Sequence, residues 1–234
     1  MKKHRLLSLF LSFALLLPLF ASFSAEAYED FDLDAKAGLL IEADTGEILY
    51  EKNAHQENYP ASLTKIMTAL LVFEAIDEGK LSLSDSVTAT ESAFEGLASD
   101  GSTADIVPGE TMTVEQLLNC MLIVSANETC NILGEYISGS VEAFVARMNE
   151  RASELGCEHT HFANATGLHN SQHYTTAWDL YLITREAMKH EKFMEICNSK
   201  SYTVPATNMT EKPRELHSTN FLISNWRARG YVYR

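Results

Sequence analysis

The sequence predicts an α+β fold in which a helical subdomain packs on an antiparallel sheet. Segments with strand-like patterns occur near both ends of the chain, and a long block of helical patterns lies between them. Strands and helices that are segregated along a chain are typical of this class, because a parallel sheet needs the two in alternation. The sheet is expected to be incomplete within the 234 residues.

The individual elements support this fold in chain order. Residues 37–43 and 47–50 flank an Asp-Thr-Gly turn and predict an opening hairpin. Residues 62–78 are apolar on nearly every side, which predicts a buried helix that ends at Gly79. Apolar periodicity and end signals predict four more helices and two short strands. The helices cover residues 113–125, 127–137, 140–155 and 176–190, and the strands cover residues 200–204 and 218–223.

The N-terminal segment is typical of a secretory signal peptide. A basic start is followed by an apolar run over residues 6–23 and by an Ala-Glu-Ala triplet at residues 25–27. Pro18 disfavours the alternative, a membrane-spanning helix. We therefore expect residues 1–27 to be removed on export and residues 28–234 to form a partial domain that lies outside the cell or in the cell envelope, at the outer face of the cytoplasmic membrane.

Composition indicates one globular domain that does not bind nucleic acid. The 18 basic and 32 acidic residues give a net charge of −14, and such a chain repels polyanions. Nothing in the sequence predicts or excludes membrane association. Four widely spaced cysteines lack the paired spacing of a zinc or redox site, and we predict buried free thiols, with disulfides as the alternative. They are Cys120, Cys130, Cys157 and Cys197.

Ser62 and Lys65 form a Ser-x-x-Lys pair at the start of the predicted buried helix. Residues three apart share one face of a helix, so their side chains are expected to be neighbours. A lysine desolvated by apolar residues has a lowered pKa and can take the proton of a serine hydroxyl. The Ser62 N–H, at the helix N-terminus, is placed to bind an oxyanion. The pair alone also fits a helix cap followed by a solvated lysine.

A second polar group interrupts the apolar helices at Ser125 and Asn127. Polar side chains between apolar helices are costly unless they serve a cavity. In a cleft, Ser125 would pass a proton to a leaving amine and Asn127 would orient a substrate amide. The alternative is a simple helix break in which one of the two residues caps the next helix.

These motifs resemble the signature of penicillin-binding proteins and class A β-lactamases, in which Ser-x-x-Lys, a Ser-x-Asn loop and Lys-Thr-Gly occur in order. Residues 60–70 are similar in particular to the nucleophile helix of the low-molecular-mass serine D-alanyl-D-alanine carboxypeptidases, peptidase family S11. Residues 162–169 and 173–179 are similar to the loop that borders the active site in that family. Ala126 and Glu128 depart mildly from its Ser-Gly-Asn-Asp loop. The resemblance implies a β-lactamase/transpeptidase-like fold.

The same resemblance implies acyl transfer on the D-Ala-D-Ala end of peptidoglycan stem peptides. Ser62 would be the acyl nucleophile, Lys65 the general base, Ser125 the proton shuttle and Asn127 the residue that orients the substrate. Water would then hydrolyse the acyl-enzyme. β-Lactam antibiotics would acylate the same serine as inhibitors, and no metal or organic cofactor is implied.

The bordering loop is expected to contribute Asn164, Gly167 and His173 to substrate binding. A class A β-lactamase would need a loop glutamate to activate water, but residues 164–173 contain no acidic residue. A non-catalytic penicillin- or peptidoglycan-binding chain is the other alternative. A zinc site is disfavoured because the loop histidines lack an acidic or cysteine partner at ligand spacing. These histidines are His159, His161, His169 and His173.

The third motif of the signature, Lys-Thr-Gly, does not occur in the 234 residues. The nearest match begins at Lys200 and lacks the glycine. Residues 230–234 resemble the approach to the missing strand, so we expect that strand to follow Arg234 and the sequence to be a fragment. Because the strand would supply carboxylate recognition and a second oxyanion N–H, the fragment alone is expected to have little activity.

Overall fold

A computed structural model describes residues 33–220 and 223 of the chain. The predicted signal peptide, residues 1–27, lies outside this part. Within it, every helix is too short or too polar to cross a membrane. The described residues from Lys36 onward belong to one compact unit.

The chain opens with the predicted hairpin. Strands β1 (Gly38–Ile41) and β2 (Ile48–Lys52) pair antiparallel. The turn between them is closed by the Glu42 carboxylate, which accepts hydrogen bonds from the N–H and the hydroxyl of Thr45 at 2.6 and 2.7 Å. The turn residues read from the sequence therefore set this hairpin, and the prediction is confirmed.

A buried helix lies at the centre of the fold. A short 3₁₀ turn, Ala61–Thr64, leads into helix α1 (Lys65–Asp77), so the predicted helix is confirmed with a 3₁₀ first turn. Residues on all sides of α1 are buried, which follows from its apolar pattern. The chain leaves the helix at Gly79, which has a left-handed φ of +70°.

Two apolar helices flank the polar break. Helix α2 (Val114–Val124) begins with the predicted capping box, in which Thr113 and Gln116 each bond the other's backbone N–H. The helix ends at Ser125, whose φ of 61° is left-handed, and helix α3 (Asn127–Ser138) starts two residues later. This abrupt reversal brings α3 against α1.

Helix α4 (Val141–Glu154) is confirmed over nearly its predicted length. The Ser140 hydroxyl accepts from the N–H of Ala143 and caps its first turn. The helix packs closely on α3 at Gly134, where a Cβ atom would lie only 2.9 Å from the ring of Phe144. Glycine at this position therefore allows the two helices to approach.

Residues 176–197 form two helices where the sequence predicts one. Helix α5 (Ala177–Ala187) is capped by the Thr176 hydroxyl and ends before the predicted boundary at residue 190. His190 has extended backbone angles and precedes helix α6 (Glu191–Cys197). The second helix was missed because seven residues are too few to establish a helical period.

The remaining strands form two further antiparallel pairs. Strand β3 (Ser86–Thr88) pairs with β4 (Thr111–Thr113), and β5 (Ser201–Val204) pairs with β6 (Arg214–His217). The first pair was not predicted, because three-residue strands give almost no pattern. The described strands thus form three separate two-stranded sheets rather than one continuous sheet.

The strand predicted over residues 218–223 is wrong for residues 218–220 and 223, and residues 221 and 222 lie outside the described part. Strand β5 pairs with residues 214–217 instead, with Ser201 opposite His217. Arg214, the first residue of β6, donates a 2.7 Å hydrogen bond to the buried Glu110 carboxylate and so ties this end of the strand to the body of the protein. After β6 the chain runs past the end of α2, where the Thr219 N–H donates to the carbonyl of Ile123.

Helices and sheets share one hydrophobic core centred on α1, which contacts α2, α3, α4 and α5. All four cysteines carry free thiols; three of them are buried, as predicted, but Cys197 is only partly buried. The core surrounds α1, so the exposed residues lie in the 3₁₀ turn before it, at Ala61, Ser62 and Leu63, and at its end, at Asp77. Large side chains that are fully buried include Leu70, Leu117, Leu133, Phe144, Phe162 and Ile183.

Candidate active site

The predicted pair at the start of α1 is in contact. Lys65 Nζ lies 3.2 Å from Ser62 Oγ. Ser62 is exposed on the 3₁₀ turn, whereas Lys65 is only 3% exposed. The chain enters this turn through Ala61, whose φ of 48° is unusual for a residue other than glycine. Strained backbone of this kind is concentrated at functional sites.

The amine of Lys65 is held by two carbonyl oxygens from distant parts of the chain. It donates to Asn127 Oδ1 at 2.8 Å and to the backbone oxygen of Thr166 at 2.8 Å. Burial lowers the pKa of Lys65, and the Glu128 carboxylate opposes part of this effect. Burial also raises the pKa of the neighbouring Cys130 to about 12, so its thiol is neutral at pH 7.

Ser125 lies at the turn between α2 and α3 with its hydroxyl oriented inward. Its Oγ is buried and has no hydrogen-bond partner among the residues that the structure describes. A buried hydroxyl without a partner is uncommon in proteins and needs an explanation. Asn127, two residues later, is the member of this motif that reaches Lys65.

The backbone of residues 101–104 forms a wall that lies against Asn127. Asn127 N–H donates to the carbonyl of Ser102 at 2.9 Å, and a Cβ atom on Gly101 would lie 2.6 Å from Asn127 Nδ2. The buried Glu128 carboxylate holds the same wall, because it accepts from the Thr103 hydroxyl and the Ala104 N–H at 2.8 Å each. Glu128, which replaces the aspartate of the family's Ser-Gly-Asn-Asp loop, thus uses its carboxylate to support the backbone of residues 103 and 104.

The bordering loop is folded around Asn164. Its Oδ1 accepts from the N–H of Gly167 at 2.7 Å and from the N–H of Thr166 at 3.2 Å, and its Nδ2 donates to the carbonyl of Leu168. These bonds hold the Thr166 carbonyl oxygen toward Lys65. A further bond, from Thr68 Oγ1 to the carbonyl of Ala165, fixes the loop to α1.

Gly167 lies against the backbone of the nucleophile's turn. Its φ is +88°, and a Cβ atom there would lie 1.8 Å from the carbonyl oxygen of Ala61 and 3.0 Å from the nitrogen of Ser62. Any side chain would therefore push the loop away from the turn. Only glycine satisfies both the left-handed conformation and this approach.

His173 is buried behind the same turn, at 2% exposure. Its Nε2 lies 2.7 Å from Thr64 Oγ1, and its Nδ1 accepts from the N–H of Ala163 at 3.0 Å. Burial lowers the pKa of His173 to about 4, with a smaller contribution from the nearby His161. Both ring nitrogens are thus engaged with protein groups.

The remaining histidines of the loop do not converge. His159 pairs with Glu57 at 3.2 Å, and His169 packs edge-on against the Tyr59 ring. Within residues 33–220, no three or more His, Cys, Asp or Glu side chains are grouped so that they could hold a metal ion. The loop instead uses its polar side chains to order its own backbone.

The structure joins Ser62, Lys65 and Asn127 directly and places Ser125 at the adjacent turn. A substrate-binding role for Asn164, Gly167 and His173 stays a prediction, since their observed contacts are with protein. Sequence reasoning missed the Thr166 carbonyl, because a backbone acceptor leaves no residue-type signal. It also missed Glu128 as a support of the wall, although an acidic residue after Asn127 was visible.

Comparisons with known proteins agree with this site. The family model for D-alanyl-D-alanine carboxypeptidase matches residues 22–228. D-alanyl-D-alanine carboxypeptidase DacF of Bacillus subtilis is 42% identical over 190 residues, which is 81% of this chain and 48% of that protein. DacC of Escherichia coli is 34% identical over 88% of this chain and 53% of that protein. The chain therefore spans about half the length of these curated relatives.

Solved structures show the fold. The DD-transpeptidase of Streptomyces K15 superposes with a TM-score of 0.77 at 29% identity, covering 86% of this chain and 79% of that one. The predicted α+β, β-lactamase/transpeptidase-like fold is therefore confirmed.

The close approach of Gly167 can be separated from its backbone conformation by two alanine substitutions. Gly96 also has a left-handed φ, +71°, but has open space around it. We expect Gly96→Ala to cost about 1–2 kcal/mol for conformation alone, and Gly167→Ala to cost at least about 2 kcal/mol more through the collision with Ala61. Urea unfolding of both variants measures the difference, and equal losses would contradict the close packing.

The burial of His173 makes the free energy of unfolding depend on pH. The unfolded chain binds a proton near the ordinary pKa of 6.5, whereas the folded protein does so near pH 4. Protonation therefore favours unfolding as pH falls from 6.5 to 4, by about 3 kcal/mol in total. His173→Gln cannot titrate. Urea unfolding at pH 7 and pH 4 should show that the wild type loses about 3 kcal/mol more than this variant, and a pH-independent difference would contradict the assignment.

Proposed function

Because the chain belongs to the D-alanyl-D-alanine carboxypeptidase family, we propose that the protein removes the terminal D-Ala of peptidoglycan stem peptides through an acyl-enzyme on Ser62. The observation that carries this proposal is the position of the Lys65 amine, which is buried and 3.2 Å from the Ser62 hydroxyl. A serine hydroxyl needs such a base to become a nucleophile.

The contacts of Lys65 match the needs of a neutral amine. A neutral amine has two N–H donors and one lone pair, whereas an ammonium has three donors. The two carbonyl oxygens, of Asn127 and Thr166, accept hydrogen bonds and cannot donate them. The third neighbour is the Ser62 hydroxyl, which can donate. In the neutral form the amine can give its two N–H groups to the carbonyls and turn its lone pair to the Ser62 hydroxyl, whereas in the charged form it donates to all three oxygens.

The proposed reaction starts with attack of Ser62 Oγ on the carbonyl carbon of the penultimate D-Ala, while its proton passes to Lys65 Nζ. The Ser62 N–H, at the start of a 3₁₀ turn, donates to the developing oxyanion. The C–N bond then breaks, and the proton moves through Ser125 to the nitrogen of the departing D-Ala. Water next attacks the ester carbonyl and gives a proton to Lys65, which passes it to Ser62 Oγ as the ester C–O bond breaks and the shortened peptide leaves with a new carboxyl group.

Ser125 and Asn127 have supporting tasks in this reaction. The Ser125 hydroxyl has no partner in the described part of the chain, which leaves it able to accept and pass on a proton. Asn127 places its carbonyl oxygen on Lys65 and would orient the substrate by fixing this amine beside Ser62. No metal or organic cofactor takes part in this scheme, since the base, shuttle and donors are protein groups.

The proposed setting is outside the cytoplasm. Stem peptides of peptidoglycan are the substrates, and β-lactams are inhibitors that acylate Ser62 by the same attack. The signal-peptide pattern of residues 1–27 supports export, and residues 28–234 would then contribute to the catalytic domain. The names of the relatives, all D-alanyl-D-alanine carboxypeptidases, support the substrate class.

A β-lactamase function is disfavoured by the carboxylates of the site. Such an enzyme needs a free carboxylate to activate the deacylating water. Residues 164–173 have none, and the Glu128 carboxylate is occupied by Thr103 and Ala104. An inert penicillin-binding module is distinguished by reactivity, because only an activated serine acylates.

Covalent labelling by a fluorescent penicillin tests the proposal. The protein expressed from its complete coding frame is expected to be labelled at Ser62, and Lys65→Arg should slow labelling roughly a hundredfold to ten-thousandfold, because arginine does not deprotonate. The rate should rise with pH and level off below pH 10.5, since burial lowers the pKa of Lys65. Mass spectrometry locates the label.

Two controls make the labelling test decisive. Lys80→Arg changes an exposed lysine in an ion pair with Glu78 and should label at the wild-type rate. Ser62→Ala should not label at all. Undiminished labelling of Lys65→Arg, or a label on another residue, would contradict the proposal.

A further inference from the structure

The hydroxyl of Thr64 lies in a buried contact that the proposed reaction does not use. Thr64 stands between Ser62 and Lys65 and is fully buried. Its Oγ1 is 2.7 Å from His173 Nε2, although the two residues are 109 positions apart. The ring of His173 is itself covered by Phe162, with centroids 5.6 Å apart. Both polar groups of this buried contact need a hydrogen-bond partner, because an unpaired buried polar group lowers the stability of the fold.

The neighbours of His173 determine where its proton lies. The backbone N–H of Ala163 can only donate, so Nδ1, which is 3.0 Å away, must accept and carries no hydrogen. A neutral imidazole then has its hydrogen on Nε2. Nε2–H therefore donates to Thr64 Oγ1. The ring is a fixed link between the Ser62 turn and the backbone just before Asn164.

We propose that His173 is a positioning residue that holds the Ser62 turn in register with the loop around Thr166, by donating from Nε2 to Thr64. The inference rests on the proposed function of Ser62 and Lys65. Thr166 fixes the amine of Lys65, and Thr64 lies within the turn that carries the hydroxyl. Because the ring is hydrogen-bonded to both Thr64 and Ala163, it keeps the amine of Lys65 and the hydroxyl of Ser62 at reacting distance.

The burial of His173 indicates that it positions the Ser62 turn without touching the substrate. Both ring nitrogens are occupied by protein groups, and the ring is 2% exposed. His173 therefore acts through Thr64 and touches no reacting atom. Its loss should change the rate of acylation more than the affinity for the acyl donor.

Three substitutions test the two hydrogen bonds of the His173 ring separately. Thr64→Val removes the hydroxyl and keeps the shape of the side chain. His173→Asn can keep the acceptor for Ala163 N–H but cannot reach Thr64, whereas His173→Gln can place an N–H near Thr64. We expect Thr64→Val and His173→Asn each to slow penicillin acylation on the order of tenfold, and the double variant to be no slower than either. His173→Gln should recover most of the rate.

The rates are measured per active site, after titration with excess penicillin, so that misfolded protein does not contribute. Thr160→Val is the control, because it removes a hydroxyl that bonds Thr175 and Asp179 outside the site and should not change the rate. Equal slowing by His173→Asn and His173→Gln, or a wild-type rate for Thr64→Val, would overturn the positioning role. Absence of any labelling in the wild type would instead refute the proposed function.

A spectroscopic signature tests the link independently of activity. ¹⁵N NMR of histidine in the intact protein should show His173 at pH 7 as a neutral ring with hydrogen on Nε2. Thr64→Val should shift the Nε2 resonance and leave Nδ1 nearly unchanged, because only one of the two bonds is lost. A ring with hydrogen on Nδ1, or a charged ring at pH 7, would overturn the inference.

Discussion

The Lys65 amine is removed from water and surrounded by three oxygen atoms from three separate parts of the chain. They are the hydroxyl of Ser62, the side-chain carbonyl of Asn127 and the backbone carbonyl of Thr166. An ammonium in such a place would lose much of its hydration, so burial lowers the pKa of Lys65. In its neutral form the amine can donate to the two carbonyl oxygens and accept from the hydroxyl, which is the arrangement a base requires.

The rest of the fold keeps these three parts together. Helix α1 is covered by apolar side chains on all sides, which both excludes water from Lys65 and fixes the start of the helix beside α3. The loop that supplies Thr166 is ordered by Asn164 and lies against the turn at Gly167. Each contact is modest alone, but together they leave the amine one position. Groups that are held in place in this way do not have to reorganise during the reaction, in contrast to a free lysine in water.

The sequence allowed the main helices and the reactive pair to be predicted, because both depend on local patterns. The apolar residues around α1 showed a buried helix, and spacing of three placed Ser62 near Lys65. The contact with Thr166 could not be predicted, since a backbone carbonyl has no residue type and the contact spans 101 positions. Strand β6 was not predicted, and the ion pair that holds its first residue, Arg214, is with Glu110, far away in the sequence.

The protonation state of Lys65 is the most direct measure of this account. In protein with lysine labelled by ¹³C at Cε, the Lys65 resonance can be assigned by its loss in Lys65→Met and then followed as pH rises. The account predicts that Lys65 titrates below 10.5, the ordinary value for a lysine, because burial lowers its pKa. Titration at or above that value would show that the amine stays charged, and it would contradict the role of Lys65 as the base.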